Sequence, residues 1–78
     1  MLANEIFVER LNELVKEKCE QSRTSLNAIA KEIGIHQPTL FRYLKGEREP
    51  GIVNLAKIAK YFNESTDWLL GLKGYEEK

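Results

Sequence analysis

The chain has 78 residues, of which 42% are hydrophobic and 31% charged, and its formal net charge is zero. This length allows one small domain with a simple core. No run of about 18 apolar residues is present to span a membrane, and the N-terminus does not resemble a signal peptide. The single cysteine, Cys19, excludes an internal disulfide framework. We therefore expect a cytoplasmic protein with no membrane partner.

The charges are unevenly distributed along the chain. Residues 1–22 carry five acidic and three basic side chains, whereas residues 23–48 carry two acidic and five basic ones. Because a polyanion is bound through local contacts, a basic segment inside a neutral domain is suited to phosphate. A chance cluster of this size is also common, so this pattern alone does not identify a binding surface.

The first two predicted helices are defined by apolar spacing and by their end signals. Spacings of three and four predict a first helix over 4–20, with a stripe formed by Ile6, Phe7, Leu11, Leu14, Val15 and Cys19. The polar residues 21–24 are expected to close it. Ser25 is a good N-cap for a second helix over 26–33, which Gly34 would end. This helix is predicted to bury Ile29, Ala30 and Ile33.

Three further helices are predicted after the turn at Gly34. The third occupies 37–45 and ends at Gly46, and a loop over 47–51 follows because Pro50 disfavours a helix there. The fourth covers 51–62, with an apolar side formed by Ile52, Leu55, Ile58, Ala59 and Phe62. The fifth runs over 66–70 behind an N-cap at Ser65. Since no alternating run of β-branched residues is present, the fold class is predicted to be all-α.

Two short helices joined by a turn that contains glycine describe a helix-turn-helix. Residues 25–46 meet the demands of that motif: Ala30 is small where the helices must approach, and Gly34 allows the chain to reverse. Apolar residues lie where the two helices would pack, at Ile29, Ile33, Ile35, Leu40 and Leu44. On the third helix, Leu40 and Leu44 are expected to face the core, with Tyr43 half-buried beside them.

In these residues the sequence resembles the Cro and lambda-repressor (XRE) type of helix-turn-helix protein. The resemblance covers roughly residues 6–72, including segments 54–63 and 65–71 after the motif. It implies a compact, five-helix, lambda-repressor-like DNA-binding domain over 1–72, followed by a short flexible tail over 73–78. It also implies a transcriptional regulator, repressor-like and of the prophage or controller type, that binds a double-stranded DNA operator as a homodimer.

The exposed stripe of the third helix is the predicted base-reading surface. At 3.6 residues per turn this stripe contains Gln37, Pro38, Phe41, Arg42 and Lys45. Gln37 can pair with an adenine edge and Arg42 with a guanine, while Pro38 and Phe41 can pack on thymine methyl groups. For Phe41 the alternative is that its ring packs sideways onto the protein.

Phosphate contacts are predicted around this stripe, and a dimer contact at the end of the domain. The phosphate candidates are Thr24, Ser25, Thr39, Lys45 and Arg48, and for Lys45 and Arg48 the alternative is a solvated surface charge. The final helix is more apolar than a short helix needs. Leu69 is expected to seal the first helix, which leaves Trp68, Leu70 and Leu72 as candidates for a two-fold contact.

Other functions are less consistent with the residues. With one histidine and no catalytic or nucleotide-binding motif, we expect no enzyme activity, and we expect no metal, cofactor or small-molecule ligand. A protein-interaction module on the same fold, such as an antitoxin or an anti-repressor partner, is the alternative. A purely protein-binding version would be expected to lose the basic and amide side chains of the third helix, whereas Gln37, Arg42 and Lys45 are present.

Overall fold

The chain's computed structural model describes residues 3–72, with side-chain placement from Glu5 onward. Five helices are found in that range: α1 Ala3–Ser22, α2 Leu26–Ile33, α3 Gln37–Leu44, α4 Ile52–Phe62 and α5 Thr66–Leu69. No strand occurs among these residues, so the predicted all-α, five-helix fold is confirmed. None of the described helices is both long and apolar enough to span a membrane. The predicted tail over 73–78 lies outside the described residues.

The ends of α2 and α5 follow the predicted local chemistry. Ser25 Oγ accepts a hydrogen bond of 3.2 Å from the Ala28 N–H, and Ser65 Oγ accepts one of 3.1 Å from the Trp68 N–H. Each serine thereby satisfies a backbone donor that has no partner inside its helix. At the other end of α2, Gly34 has a φ of 90°, the left-handed conformation that glycine adopts without a steric penalty. The predicted bounds of α2 are confirmed.

Five other helix ends differ from the predictions by one or two residues, and two of these are helix starts: α1 begins at Ala3, and α4 begins at Ile52 with Gly51 as its N-cap. Gln21 and Ser22 continue α1, because neither residue breaks a helix, and the helix ends where Arg23 turns to a φ of 50°. Helix α3 ends at Leu44, with Lys45 as its C-cap, before Gly46 adopts a φ of 75°. Helix α5 ends at Leu69, one residue before the predicted end.

The core lies where α1 crosses the helix-turn-helix and α4 and α5 close the remaining sides. Helix α1 packs on α2, α3 and α5, and α4 packs on α2 and α5. The largest fully buried side chains come from all five helices: Phe7, Leu11, Ile29, Leu40, Tyr43, Ile58 and Leu69. Burying an aliphatic or aromatic side chain of this size contributes about 1.5–3 kcal/mol each. Leu69 seals the core as predicted.

The predicted apolar side of α4 is wrong at its first residue. Ile52 is 87% exposed and its neighbour Val53 is 67% exposed, whereas Ile58 and Ala59 are buried. The helical period places Ile52 near the correct side, but the contact of α4 with the core begins only at Asn54 and Leu55. The first two residues of α4 therefore lie beyond the helices on which α4 packs.

Tyr43 is also placed differently from the prediction. It is 2% exposed and belongs to the core, while Leu44 is only partly buried. The Tyr43 ring meets Phe7 edge to face, with 6.4 Å between centroids, and its hydroxyl accepts a 2.9 Å hydrogen bond from Asn54 Nδ2. Because the hydroxyl has a partner, the whole side chain can be buried without a desolvation penalty for an unpaired polar group.

Candidate nucleic-acid interface

The turn between α2 and α3 is held by several hydrogen bonds. The N–H groups of Gly34 and Ile35 both donate to the Ala30 carbonyl, at 2.9 and 3.0 Å. From α4, Lys57 Nζ donates to the Gly34 carbonyl at 3.1 Å. Ile35 is buried behind the turn. The start of α3 is therefore anchored in the protein rather than carried by a free loop.

Helix α3 begins with residues that suit a helix start. His36 is the N-cap and is exposed, but its side chain makes no capping hydrogen bond, and Pro38 occupies the first turn. Proline is tolerated there because the backbone N–H that it lacks would have no partner inside the helix. The carbonyl of His36 accepts from the N–H groups of Thr39 and Leu40, both at 3.0 Å.

The two faces of α3 are clearly separated. Leu40 and Tyr43 are buried against α1 and the rest of the core. The opposite stripe contains four exposed side chains, with Gln37 and Thr39 partly exposed at the start of the helix: Pro38, Phe41, Arg42 and Lys45. The structure thus places the predicted base-reading residues together on one accessible face of a helix whose other face is packed.

Phe41 lies on this accessible face. Its side chain is 47% exposed, and Lys45 Nζ lies 5.1 Å from its ring centroid. Lys45 also pairs with Glu47, with 3.2 Å between Nζ and Oε2. An exposed pair of this kind contributes about 1 kcal/mol or less, so the ammonium group remains available to a phosphate.

The predicted phosphate-contacting residues surround the exposed stripe, but they differ in exposure and in the bonds that they already make within the protein. The Ser25 Oγ accepts the cap hydrogen bond, which leaves its O–H able to donate to a phosphate, and Thr24 beside it is partly buried. Arg48 is exposed in the loop after α3. Within residues 5–72, neither Arg42 nor Arg48 forms an ion pair with an acidic side chain. Both guanidinium groups are therefore free to meet an anion.

The three predicted dimer residues also differ in exposure. Leu72 is 62% exposed, while Trp68 and Leu70 are partly buried. The guanidinium carbon of Arg10 lies 4.5 Å from the Trp68 ring centroid, and Arg10 donates to the Trp68 carbonyl. One face of the Trp68 ring is therefore covered within the chain, and Leu72 is the most exposed of the three.

Several side chains that the sequence did not single out contact the helix-turn-helix from other helices. Lys57 and Asn54 reach it from α4, as described above, and Asn12 Nδ2 of α1 donates to the Leu44 carbonyl at 2.9 Å. These partners lie 23, 11 and 32 residues apart in the sequence. No local pattern marks such pairs, because they depend on how the helices cross.

Among the described residues, no group of three or more histidine, cysteine or acidic side chains is arranged to hold a metal ion.

The comparisons with known proteins agree with this geometry. Residues 15–69 match a family model described as helix-turn-helix. Over 39 residues the chain is 51% identical to the uncharacterized HTH-type transcriptional regulator YvzC of Bacillus subtilis (strain 168), an alignment that covers 50% of this chain and 51% of the relative. The chain thus aligns with about half the length of that relative. No solved structure matches the chain.

Proposed function

Because the chain belongs to the XRE-type helix-turn-helix family, we propose that it is a sequence-specific DNA-binding regulator of transcription. In this proposal α3 enters the major groove of double-stranded DNA and the protein acts as a repressor. The observation that carries the proposal is the exposed face of α3, whose opposite face is buried through Leu40 and Tyr43. A rigid helix with a free polar face can present fixed donors to base edges.

Base readout is assigned to side chains at the two ends of the exposed stripe. Gln37, in the first turn, pairs with an adenine edge, and Arg42, in the last turn, pairs with a guanine. Each such bidentate pair provides about 1–3 kcal/mol of discrimination between bases. Pro38 and Phe41 offer no donors on this face and pack on thymine methyl groups. The 47% exposure of Phe41 leaves its ring available for that contact.

Phosphate contacts position the helix in the groove without reading bases. Lys45 and Arg48, at the end of α3 and in the following loop, contact one stretch of backbone. Thr24 and Ser25, at the start of α2, contact phosphates together with Thr39. The net positive charge of residues 23–48 supports this arrangement, since most of it comes from residues 37–48, which carry Arg42, Lys45 and Arg48 against Glu47.

We also propose that two copies bind paired half-sites as a homodimer. A two-fold contact through α5 and its exit, centred on Leu72, would bring the two α3 helices to successive major grooves about 34 Å apart. Leu72 supports this role because a 62% exposed leucine follows a helix whose other apolar residues are at least partly buried.

A protein-interaction module on the same fold is the second candidate. The exposed apolar side chains of Phe41, Ile52 and Val53 favour it, because such side chains are common in protein interfaces. The two functions differ in whether they need Arg42. Base readout requires its guanidinium, whereas an apolar protein interface does not.

The experiment that tests DNA binding begins with selection of duplexes from a random library, followed by titration at several salt concentrations. We expect the affinity for the selected duplex to fall steeply as salt rises, because phosphate contacts release counterions. Arg42→Ala should weaken specific binding roughly tenfold to hundredfold and leave non-specific binding much less changed. Lys45→Ala should weaken both similarly.

The matched pair of variants distinguishes the two candidate functions. If the selection enriches no duplex and Arg42→Ala binds unselected DNA with the wild-type affinity, the proposal of DNA readout is wrong. The protein-interaction module is then favoured. If a duplex is enriched but Arg42→Ala keeps full discrimination, DNA binding stands and the role of Arg42 is wrong.

A further inference from the structure

Asn12 is an exposed residue of α1 that uses both N–H donors of its side-chain amide. Its Nδ2 donates to the Val8 carbonyl in the same helix at 2.8 Å and to the Leu44 carbonyl of α3 at 2.9 Å. The first bond fixes the amide against its own helix. The second crosses to the last residue of α3, 32 positions along the chain.

The Leu44 carbonyl is an acceptor that α3 cannot satisfy by itself. The last carbonyls of a helix have no donor one turn ahead. The next N–H groups donate elsewhere: Lys45 to Phe41, Gly46 to Tyr43 and Glu47 to Arg42, at 3.1, 3.1 and 2.9 Å. Asn12 therefore caps α3 from outside and ties its end to α1.

Two other side-chain hydrogen bonds hold α3, one at the turn before it and one at Tyr43 in its final turn. Lys57 bonds the carbonyl of Gly34, in the turn before α3, and Asn54 bonds the hydroxyl of Tyr43. Neither holds the terminal carbonyl. Arg42 and Lys45 project from this same final turn, so its orientation sets where their charged groups lie.

We propose that Asn12 is a positioning residue for sequence readout: it fixes the end of α3 on α1 and thereby aims Arg42 at its base. This inference rests on the proposed function of α3. Asn12 itself contacts no base. Asn12 fixes the orientation of the final turn of α3 in the free protein. Specific binding then carries no entropic cost for ordering that turn.

The test compares Asn12→Ala with Gln21→Ala, a change of another exposed amide of α1, whose side chain has no hydrogen bond to any residue that the structure describes. Alanine favours a helix more than asparagine does, so α1 should remain intact in both variants. We expect Asn12→Ala to lower the affinity for the selected duplex roughly threefold to tenfold, the equivalent of one neutral hydrogen bond, and to leave non-specific affinity unchanged. Gln21→Ala should change neither.

Amide hydrogen exchange supplies a readout that does not depend on DNA. In Asn12→Ala the N–H groups of Lys45, Gly46 and Glu47 should exchange faster, while those of α2 should keep the wild-type rates. Unchanged exchange at these three amides would overturn the positioning role. Faster exchange with an unchanged ratio of specific to non-specific affinity would overturn it as well, since Asn12 would then only stabilise the helix end. If the wild-type protein selects no duplex, it is the proposed function that has failed, and the exchange rates still decide whether Asn12 holds α3.

Discussion

Arg10 of α1 and Trp68 of α5 form a joint between the two ends of the described chain. The guanidinium carbon of Arg10 lies 4.5 Å from the Trp68 ring centroid, and the same guanidinium donates to the Trp68 carbonyl. A flat guanidinium can stack on an indole ring and donate at its edge at the same time. This joint attaches a helix of four residues to the longest helix of the fold.

Removing the guanidinium should loosen α5. We expect Arg10→Ala to lower the free energy of unfolding by about 1–2 kcal/mol, because both the cation–π contact and the hydrogen bond are lost. Urea denaturation followed by tryptophan fluorescence measures this change, and Trp68 is the only tryptophan. Arg10→Lys keeps the charge without the planar stacking and should fall between the two. A wild-type denaturation midpoint in Arg10→Ala would contradict the importance of this joint.

Gly71 cannot be replaced without strain. Its φ is 80°, and an added Cβ would approach Ile6 of α1 to 2.9 Å at Cγ2 and closer still at Cδ1. We expect Gly71→Ala to lower the free energy of unfolding by about 1–3 kcal/mol, through both the backbone strain and the overlap with a buried side chain. Thermal denaturation measures the loss.

Gly51 provides the matched control for this change. A Cβ at Gly51 would meet nothing within 4 Å, and φ there is −76°. Gly51→Ala should therefore lose only the preference of an N-cap for glycine over alanine, about 0.5–1 kcal/mol. Equal losses in the two variants would show that the contact with Ile6 is not the cause.

Tyr61 should make stability depend on alkaline pH. Burial, together with the hydrogen bond that its hydroxyl donates to Glu32 and the negative charge of Glu32, raises the pKa of Tyr61 from 10.0 to about 12. The folded chain thus holds this proton more tightly than the unfolded chain. The resulting stabilisation is complete below about pH 10 and is lost as the pH rises to about 12.

The measurement compares the wild type with Tyr61→Phe, which has no hydroxyl to titrate. Urea denaturation at increasing pH should show a steeper loss of stability above about pH 10 in the wild type than in the variant. Other alkaline groups titrate in both proteins and cancel in the difference. Parallel pH profiles would indicate that the hydrogen bond to Glu32 does not hold the proton.

The proposed dimer contact is tested by placing a charge on its most exposed residue. Leu72→Glu should weaken binding to a duplex with two half-sites about tenfold or more, because the variant would bury a carboxylate in an apolar contact. Binding to a duplex with one half-site should be unchanged, which makes that duplex the internal control. Equal affinities of the wild type and the variant for the paired site would exclude Leu72 from the contact.

The helix-turn-helix was predictable because its signals are local. Ser25 and Gly34 lie immediately beside the helix that they start and end, and their effects require only hydrogen bonds and dihedral angles within a few residues. The exposed stripe of α3 was predictable for a related reason, since the helical period separates Leu40 from Arg42 without reference to the rest of the chain.

Apart from shifts of one or two residues at helix ends, the errors occurred where a residue's surroundings come from a distant part of the chain. The helical period assigns Ile52 to a side of α4, but it does not tell how far the core extends along that side, and Ile52 lies beyond it. Tyr43 was expected to belong to the core but to be only half-buried. It is buried because Asn54 supplies a donor and Phe7 a packing partner, neither of which the local sequence reveals.

Caps, turns and apolar periodicity thus specify five helices and the exposed face of α3, since each arises from interactions between neighbours in the sequence. The crossing of the helices specifies the contacts of Asn12 with Leu44 and of Arg10 with Trp68, across 32 and 58 positions. Such contacts exist only where the packing of the apolar stripes brings the two helices together. Their distances depend on helix orientations to which residues from several helices contribute at once.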